Sequence, residues 1–209
     1  MRKLIVGITG ATGAIFGVRL LNALQHTDVE THLVASRWAQ RTIEHETPYS
    51  FKDVRAMASV YYEPGNMGAA ISSGSFITEG MVIAPCSMRS LAAIAQGNGD
   101  HLVHRAADVV LKERRRLVLV AREMPLSEVH LENMLKLSRM GVTIMPPMPA
   151  MYNHPQTVDD IVDHIVARVL DQFSIQADFA RRWTGQMRTS VARLAPAAHP
   201  TPTDDEAAQ

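Results

Sequence analysis

A chain of 209 residues with 46% hydrophobic content is long enough for one substantial core and short for two independent domains. Its 21 Lys and Arg balance 21 Asp and Glu, so it lacks the basic excess with which nucleic-acid binders neutralise phosphates, and no nucleic acid is expected as a partner. A lone cysteine, Cys86, precludes an internal disulfide or a cysteine-built zinc site and suits a reducing cytoplasm, and no apolar run approaches the roughly 18 residues of a membrane span.

In chain order, "KLIVGI" (3–8) reads as a first strand and "AIFGVRLLNALQ" (14–25) as a helix. "VETHLVAS" (29–36) is a second strand, followed by the helix "RWAQRTIEHE" (37–46). "MVIAP" (81–85) leads into the helix "SMRSLAAIAQ" (87–96), and "LVHRAADVVLKERR" (102–115) is a helix running up to the strand "LVLVA" (117–121). "LSEVHLENMLKLSRMG" (126–141) has apolar residues at helical spacing, with Ser127 placed as N-cap and Gly141 just past the end. "VTIMPP" (142–147) is a fifth strand, and "TVDDIVDHIVARVLDQF" (157–173) a last helix with Thr157 as N-cap and two aspartates in its first turn.

Nearly continuous apolar strands are strands covered on both faces, as in parallel sheets. Alternating with helices, they predict an α/β, flavodoxin-like or Rossmann-like doubly wound parallel sheet in a single domain over residues 1–185. The Ala- and Pro-rich, terminally acidic stretch 186–209 predicts a disordered C-terminal tail.

Such sheets bind ligands beyond the carboxyl ends of their strands. The five exits read "TGATGA" (9–14), "SRW" (36–38), "APCSMRS" (84–90), "AREMP" (121–125) and "PPMPAMYNHP" (146–155). Gly10 and Gly13 give the first turn bare amides that suit a phosphate or a flat ring, and equally suit a tight turn with no ligand. The spacing is not G-x-G-x-x-G, and Ser36 stands where a dinucleotide reader places an acid for the ribose, so FMN fits better than NAD. Ser87 and Ser90 open a helix as a second contact zone. Arg122 beside Glu123 suits a phosphate and a proton transfer, or is simple solvation of a strand end. The cluster Lys112, Arg114, Arg115 and Arg116 reads first as a helix end complementing its dipole. His101, His104 and His130 do not make a metalloprotease pattern and read as surface residues, Cys86 as a small core hydrophobe, and no metal is expected.

Taken together, "GITGATGAIFGVRLL", "SSGSF", "PCSM", "RAADVVLKERR", "REMPLS", "HLENM", "PPMPAMYNHP" and "VDDIVDHIVARVLDQF" resemble the UbiX/Pad1 flavin prenyltransferases over about residues 3–184. Within that family the chain is most similar to the B-component proteins encoded with hydroxyarylic (phenolic) acid decarboxylases. The resemblance implies a homo-oligomer, typically a dodecamer, that binds reduced FMN and dimethylallyl monophosphate without a metal. It also implies that prenylated FMN is the product and that a separate UbiD-type decarboxylase uses it.

On this resemblance Gly10, Ala11, Thr12, Ser36, Ser87, Met88, Arg89, Ser90 and Arg122 are expected to contact the flavin. Lys112, Arg122, Tyr152 and Arg168 are expected to hold the prenyl phosphate, with Glu123, Glu46, Thr12 and Tyr152 as the catalytic set. Arg105 matches a family position, and Trp183 is expected over a neighbouring subunit's site. Two departures stand out: Thr12 replaces a frequent serine, and Ala121 a frequent proline before the Arg-Glu pair. A non-catalytic FMN-binding accessory component of a phenolic acid decarboxylase is the alternative reading.

Overall fold

The computed structural model of the protein describes residues 2–186, so the tail expected beyond them lies outside the described residues. Six parallel strands form one sheet: β1 (Arg2–Ile8), β2 (Val29–Ala35), β3 (Val60–Tyr62), β4 (Gly80–Cys86), β5 (Arg116–Ala121) and β6 (Thr143–Ile144). Their spatial order is β3-β2-β1-β4-β5-β6, the doubly wound order of Rossmann-like sheets. Strand order therefore reverses between β1 and β4, which is where such sheets bind ligands.

The apolar runs are explained by two cores, one on each face. Leu4, Val6 and Ile8 of β1, Val82 and Ala84 of β4, and Val118 and Val120 of β5 point into the first. The alternate residues Ile5, Met81, Ile83, Leu117 and Leu119 point into the second. At about 1.5–3 kcal/mol for each fully buried aliphatic side chain, these runs hold the sheet between its helices. Helices α1 (Ala14–Leu24), α2 (Arg37–Glu46), α3 (Phe51–Ala56) and α7 (Val158–Asp171) cover the first core. Helices α4 (Met88–Ala95), α5 (Leu102–Lys112) and α6 (Glu128–Arg139) cover the second.

Local signals set the helix boundaries. Ser127 accepts from the His130 N–H and Thr157 from the Asp160 N–H, both within reciprocal capping boxes, and Gly141 follows α6 at φ 90°. Two elements exceed the sequence expectation: α3, opened by a Ser50–Asp53 capping box, and the three-residue edge strand β3. In the other direction, "VTIMPP" yields only a two-residue strand, because Pro146 and Pro147 have no N–H to extend the ladder. Among the described residues no helix is long and apolar enough to cross a membrane.

Candidate active site

The exits of β1, β2, β3 and β4 and the start of α5 enclose a cavity of about 620 Å³ at the switch point. Its walls carry Gly10, Ser36, Ser87, Arg89 and Ser90 from the expected flavin set, and also Thr9, Arg37, Trp38, Asp100, His101 and His104. Three helices, α2, α4 and α5, open onto it with their N-termini, capped by Ser36, Ser87 and His101. Three positive dipole ends beside the guanidinium groups of Arg37 and Arg89 make this an anion-binding cleft. Such a cleft suits an anionic, flat ligand such as FMN, and Gly10 keeps one wall bare: a Cβ there would stand 2.5 Å from Trp38 Cβ.

A hydrogen-bond chain fixes the cleft's floor. The Thr9 hydroxyl, 2% exposed, donates to the Pro85 carbonyl (2.8 Å) and accepts from the Ser87 N–H (2.8 Å). The Ser87 hydroxyl accepts from the Ser90 N–H (3.3 Å) and donates to the Ser90 hydroxyl (3.2 Å), which meets His104 Nε2 at 3.1 Å. Burial, with help from His101 and Arg89, pushes His104 down to about 4, so the ring is neutral. The sequence reads 101 and 104 as surface histidines; both instead line the cleft, because the α5 start is folded against the β4 exit.

The expected bare amides of the first turn are only partly bare. Gly13, in the left-handed region at φ 94°, opens α1 with no side-chain cap of its own. Glu46 supplies one from the end of α2: its Oε2 accepts from the Gly13 N–H (2.8 Å) and the Ala14 N–H (2.9 Å). The N-terminus of α1 thus already holds a carboxylate, which leaves the amides of α2, α4 and α5 for an external anion. Thr12 is exposed beside this cap, and Ala11 half-buried. Met88 faces the second core rather than the cleft.

Arg122 and Glu123 leave β5 one strand further along. The Arg122 N–H donates to the Cys86 carbonyl (3.1 Å), and Glu123 Oε1 accepts from the Met124 N–H (3.1 Å). Among the described residues no ion pair engages either side chain, which leaves both charges available. Ala121 is buried within β5 and paired with Cys86. Cys86 is fully buried and its thiol is pushed up to about 12, in keeping with a core residue.

Tyr152 follows β6 on a single 3₁₀ turn. Its hydroxyl lies 3.4 Å from His164 Nε2, and its ring meets Trp183 edge-on at 5.6 Å. Arg168 stands one helical turn beyond His164 on α7, paired with Asp171 at 2.6 Å, a carboxylate that Arg182 shares. Lys112 departs from expectation. It ends α5 against Glu113, and Gly74 approaches the same pair, at the amino-terminal edge of the sheet where β5 begins. One protomer therefore does not bring Lys112 to the strand exits. Arg105 pairs with Asp108 on the same helix (2.9 Å).

Residues 1–170 match the family model described as Flavoprotein. A curated relative from Escherichia coli O157:H7, a probable UbiX-like flavin prenyltransferase, is 66% identical over 88% of this chain and 93% of its own length. The chain belongs to the UbiX-like flavin prenyltransferases. Two solved structures of this family superimpose closely on it. A dodecameric FMN-dependent UbiX-like decarboxylase from Escherichia coli O157:H7 has a TM-score of 0.86 at 66% identity, covering 88% of this chain and 100% of that one. AnUbiX (PadA1), in complex with FMN and dimethylallyl pyrophosphate, has a TM-score of 0.88 at 50% identity, covering 89% and 99%.

Proposed function

We propose that the protein is a flavin prenyltransferase that joins the dimethylallyl group of dimethylallyl monophosphate to reduced FMN, giving prenylated FMN and phosphate. The anion-binding cleft at the switch point carries this reading, in a chain whose relative AnUbiX was solved with FMN and dimethylallyl pyrophosphate. On this reading the flavin phosphate sits among Arg37, Arg89 and the three helix N-termini, and the ring system extends from Gly10 past Ala11 and Thr12, which lie outside the cavity lining, towards Arg122. Reduced FMN supplies the electron-rich atoms that take the prenyl group.

The remaining residues handle charge and one proton. Breaking the prenyl C–O bond leaves a phosphate whose growing negative charge Lys112, Arg122 and Arg168 neutralise, with a hydrogen bond from the Tyr152 hydroxyl. Each well-placed donor is worth about 3 kcal/mol of barrier. Glu123 accepts the proton released when the second bond to the flavin closes, a role worth roughly 10²–10⁴ in rate. Glu46 fixes the first turn and Thr12 lines the prenyl pocket. A non-catalytic accessory component would need the cleft alone, and not Lys112, Glu123, Tyr152 and Arg168.

Because Lys112 stands at the far edge of its own sheet, it acts in a neighbouring subunit's site. Helix α6 offers the contact surface: it exposes Val129, Leu131 and Leu135, with Met140 exposed just past its end and Met124 exposed at 81% in the preceding loop. A dodecamer like that of the Escherichia coli relative fits this apolar surface. The protein acts in the cytoplasm and hands prenylated FMN to a UbiD-type decarboxylase. Phosphate release from dimethylallyl monophosphate that requires reduced FMN tests the reading; release without flavin, or none with it, would overturn it.

A further inference from the structure

We propose that His101 is a tautomer-locked hydrogen-bond donor to the phosphate of the bound flavin and contributes to the protein's preference for FMN over riboflavin. The inference rests on the flavin reading given above.

His101 is the N-cap of α5. The Val103 N–H donates to its Nδ1 (3.3 Å), so Nδ1 bears the lone pair and the ring proton resides on Nε2. No residue among those described hydrogen-bonds Nε2, and the ring lines the cleft with Arg37 and Arg89. An N–H donor is therefore held at the mouth of a helix N-terminus, inside an anion-binding cavity, where a ligand can reach it.

Burial and the two arginines that face the ring favour its neutral form. Burial lowers its proton affinity most, followed by Arg89 from α4 and Arg37 from α2. His104, with its centroid 5.4 Å away on α5, is itself neutral, and Asp100 is the acid that faces the same cavity. Protonating Nδ1 would also break the cap on α5. With Nδ1 engaged by the cap, the Nε2–H is the group that can add a hydrogen bond to a phosphate held between the two arginines. Riboflavin, which has no phosphate, gains nothing from it.

The test uses the purified full-length protein titrated with FMN and with riboflavin, followed by quenching of flavin fluorescence. His101→Ser keeps a favoured N-cap residue and removes the imidazole; His101→Asn, whose amide ends short of Nε2, is a second cap-preserving variant. In both, FMN affinity is expected to fall roughly tenfold or more, as for a lost hydrogen bond to a charged group, while riboflavin affinity stays within about twofold. Unchanged FMN affinity, or equal losses for the two flavins, would overturn the proposal. If wild-type protein bound neither flavin, the flavin reading would fall and this inference with it; wild-type FMN binding with indifferent variants would remove the inference alone.

Discussion

Glu46, the last residue of α2, caps α1: its carboxylate accepts from the N–H groups of Gly13 and Ala14 at 2.8 and 2.9 Å. One side chain thus ties the β1 exit, on which Thr12 rides, to the second helix. It also places negative charge on a positive dipole end that would otherwise compete for the flavin phosphate. Replacement by Ala should cost about 1 kcal/mol of stability, a fall of roughly 2–4 °C in Tm for a domain of this size, with Gln about half of that. Thermal melts of the two variants check this; a Glu46→Ala protein melting with wild type would show that the cap is immaterial.

Among the described residues Glu123 makes no ion pair, and the only hydrogen bond to its carboxylate comes from the N–H of the next residue. Glu123→Gln preserves that shape and removes the base. FMN affinity is expected to stay at the wild-type level while prenyl transfer drops by 10² to 10⁴, roughly the range of a lost general base. Turnover at the wild-type rate in single-turnover assays would sink the assigned role.

His104 gives the fold a pH dependence. Its pKa is depressed from 6.5 to about 4 in the folded protein, so between these values the unfolded chain binds more protons and stability falls as pH falls. Above the unfolded value the ring is neutral in both states and contributes no slope. Discounted for the ring's partial exposure, the loss should be roughly 1–2 kcal/mol from neutral pH to the bottom of that window. His104→Asn should flatten this part of the Tm-versus-pH curve, and an unaltered slope in the variant would contradict the assignment.

Lys112 and Glu123 cannot meet within one chain if the first is confined to the amino-terminal edge of the sheet and the second to a strand exit. Lys112→Ala and Glu123→Gln chains, each nearly inactive alone, should then recover part of the activity when co-assembled, because some sites receive both native residues. Mixed oligomers, verified by native mass spectrometry, that stay as inactive as their parents would argue against a shared site. A charge on the exposed face of α6, as in Leu135→Glu, should lower both subunit count and turnover together, read by light scattering and by product formation.

Periodicity and capping made most of the fold legible. The runs at 4–8, 81–85 and 117–121 are apolar throughout because both faces are buried, and Ser127, Thr157 and Gly141 mark helix ends by side-chain and backbone chemistry alone. Strand β3 escaped because three half-buried residues carry no period. The position of Lys112 was in principle readable: a residue a few positions before a parallel strand must lie at that strand's amino-terminal edge. His101 and His104 were not readable, since only tertiary packing sets the start of α5 against Ser90 and the β4 exit. Nor was the tie from Glu46 to Gly13, a contact across 33 residues with no local signature.

The most direct measurement is anaerobic incubation of the purified protein with reduced FMN and dimethylallyl monophosphate, followed by mass analysis of the extracted flavin. A flavin heavier by one five-carbon prenyl unit, formed with an equal amount of free phosphate, is the expected result. Unmodified FMN, or release of carbon dioxide from 4-hydroxybenzoate by this protein without any partner, would contradict a prenyltransferase.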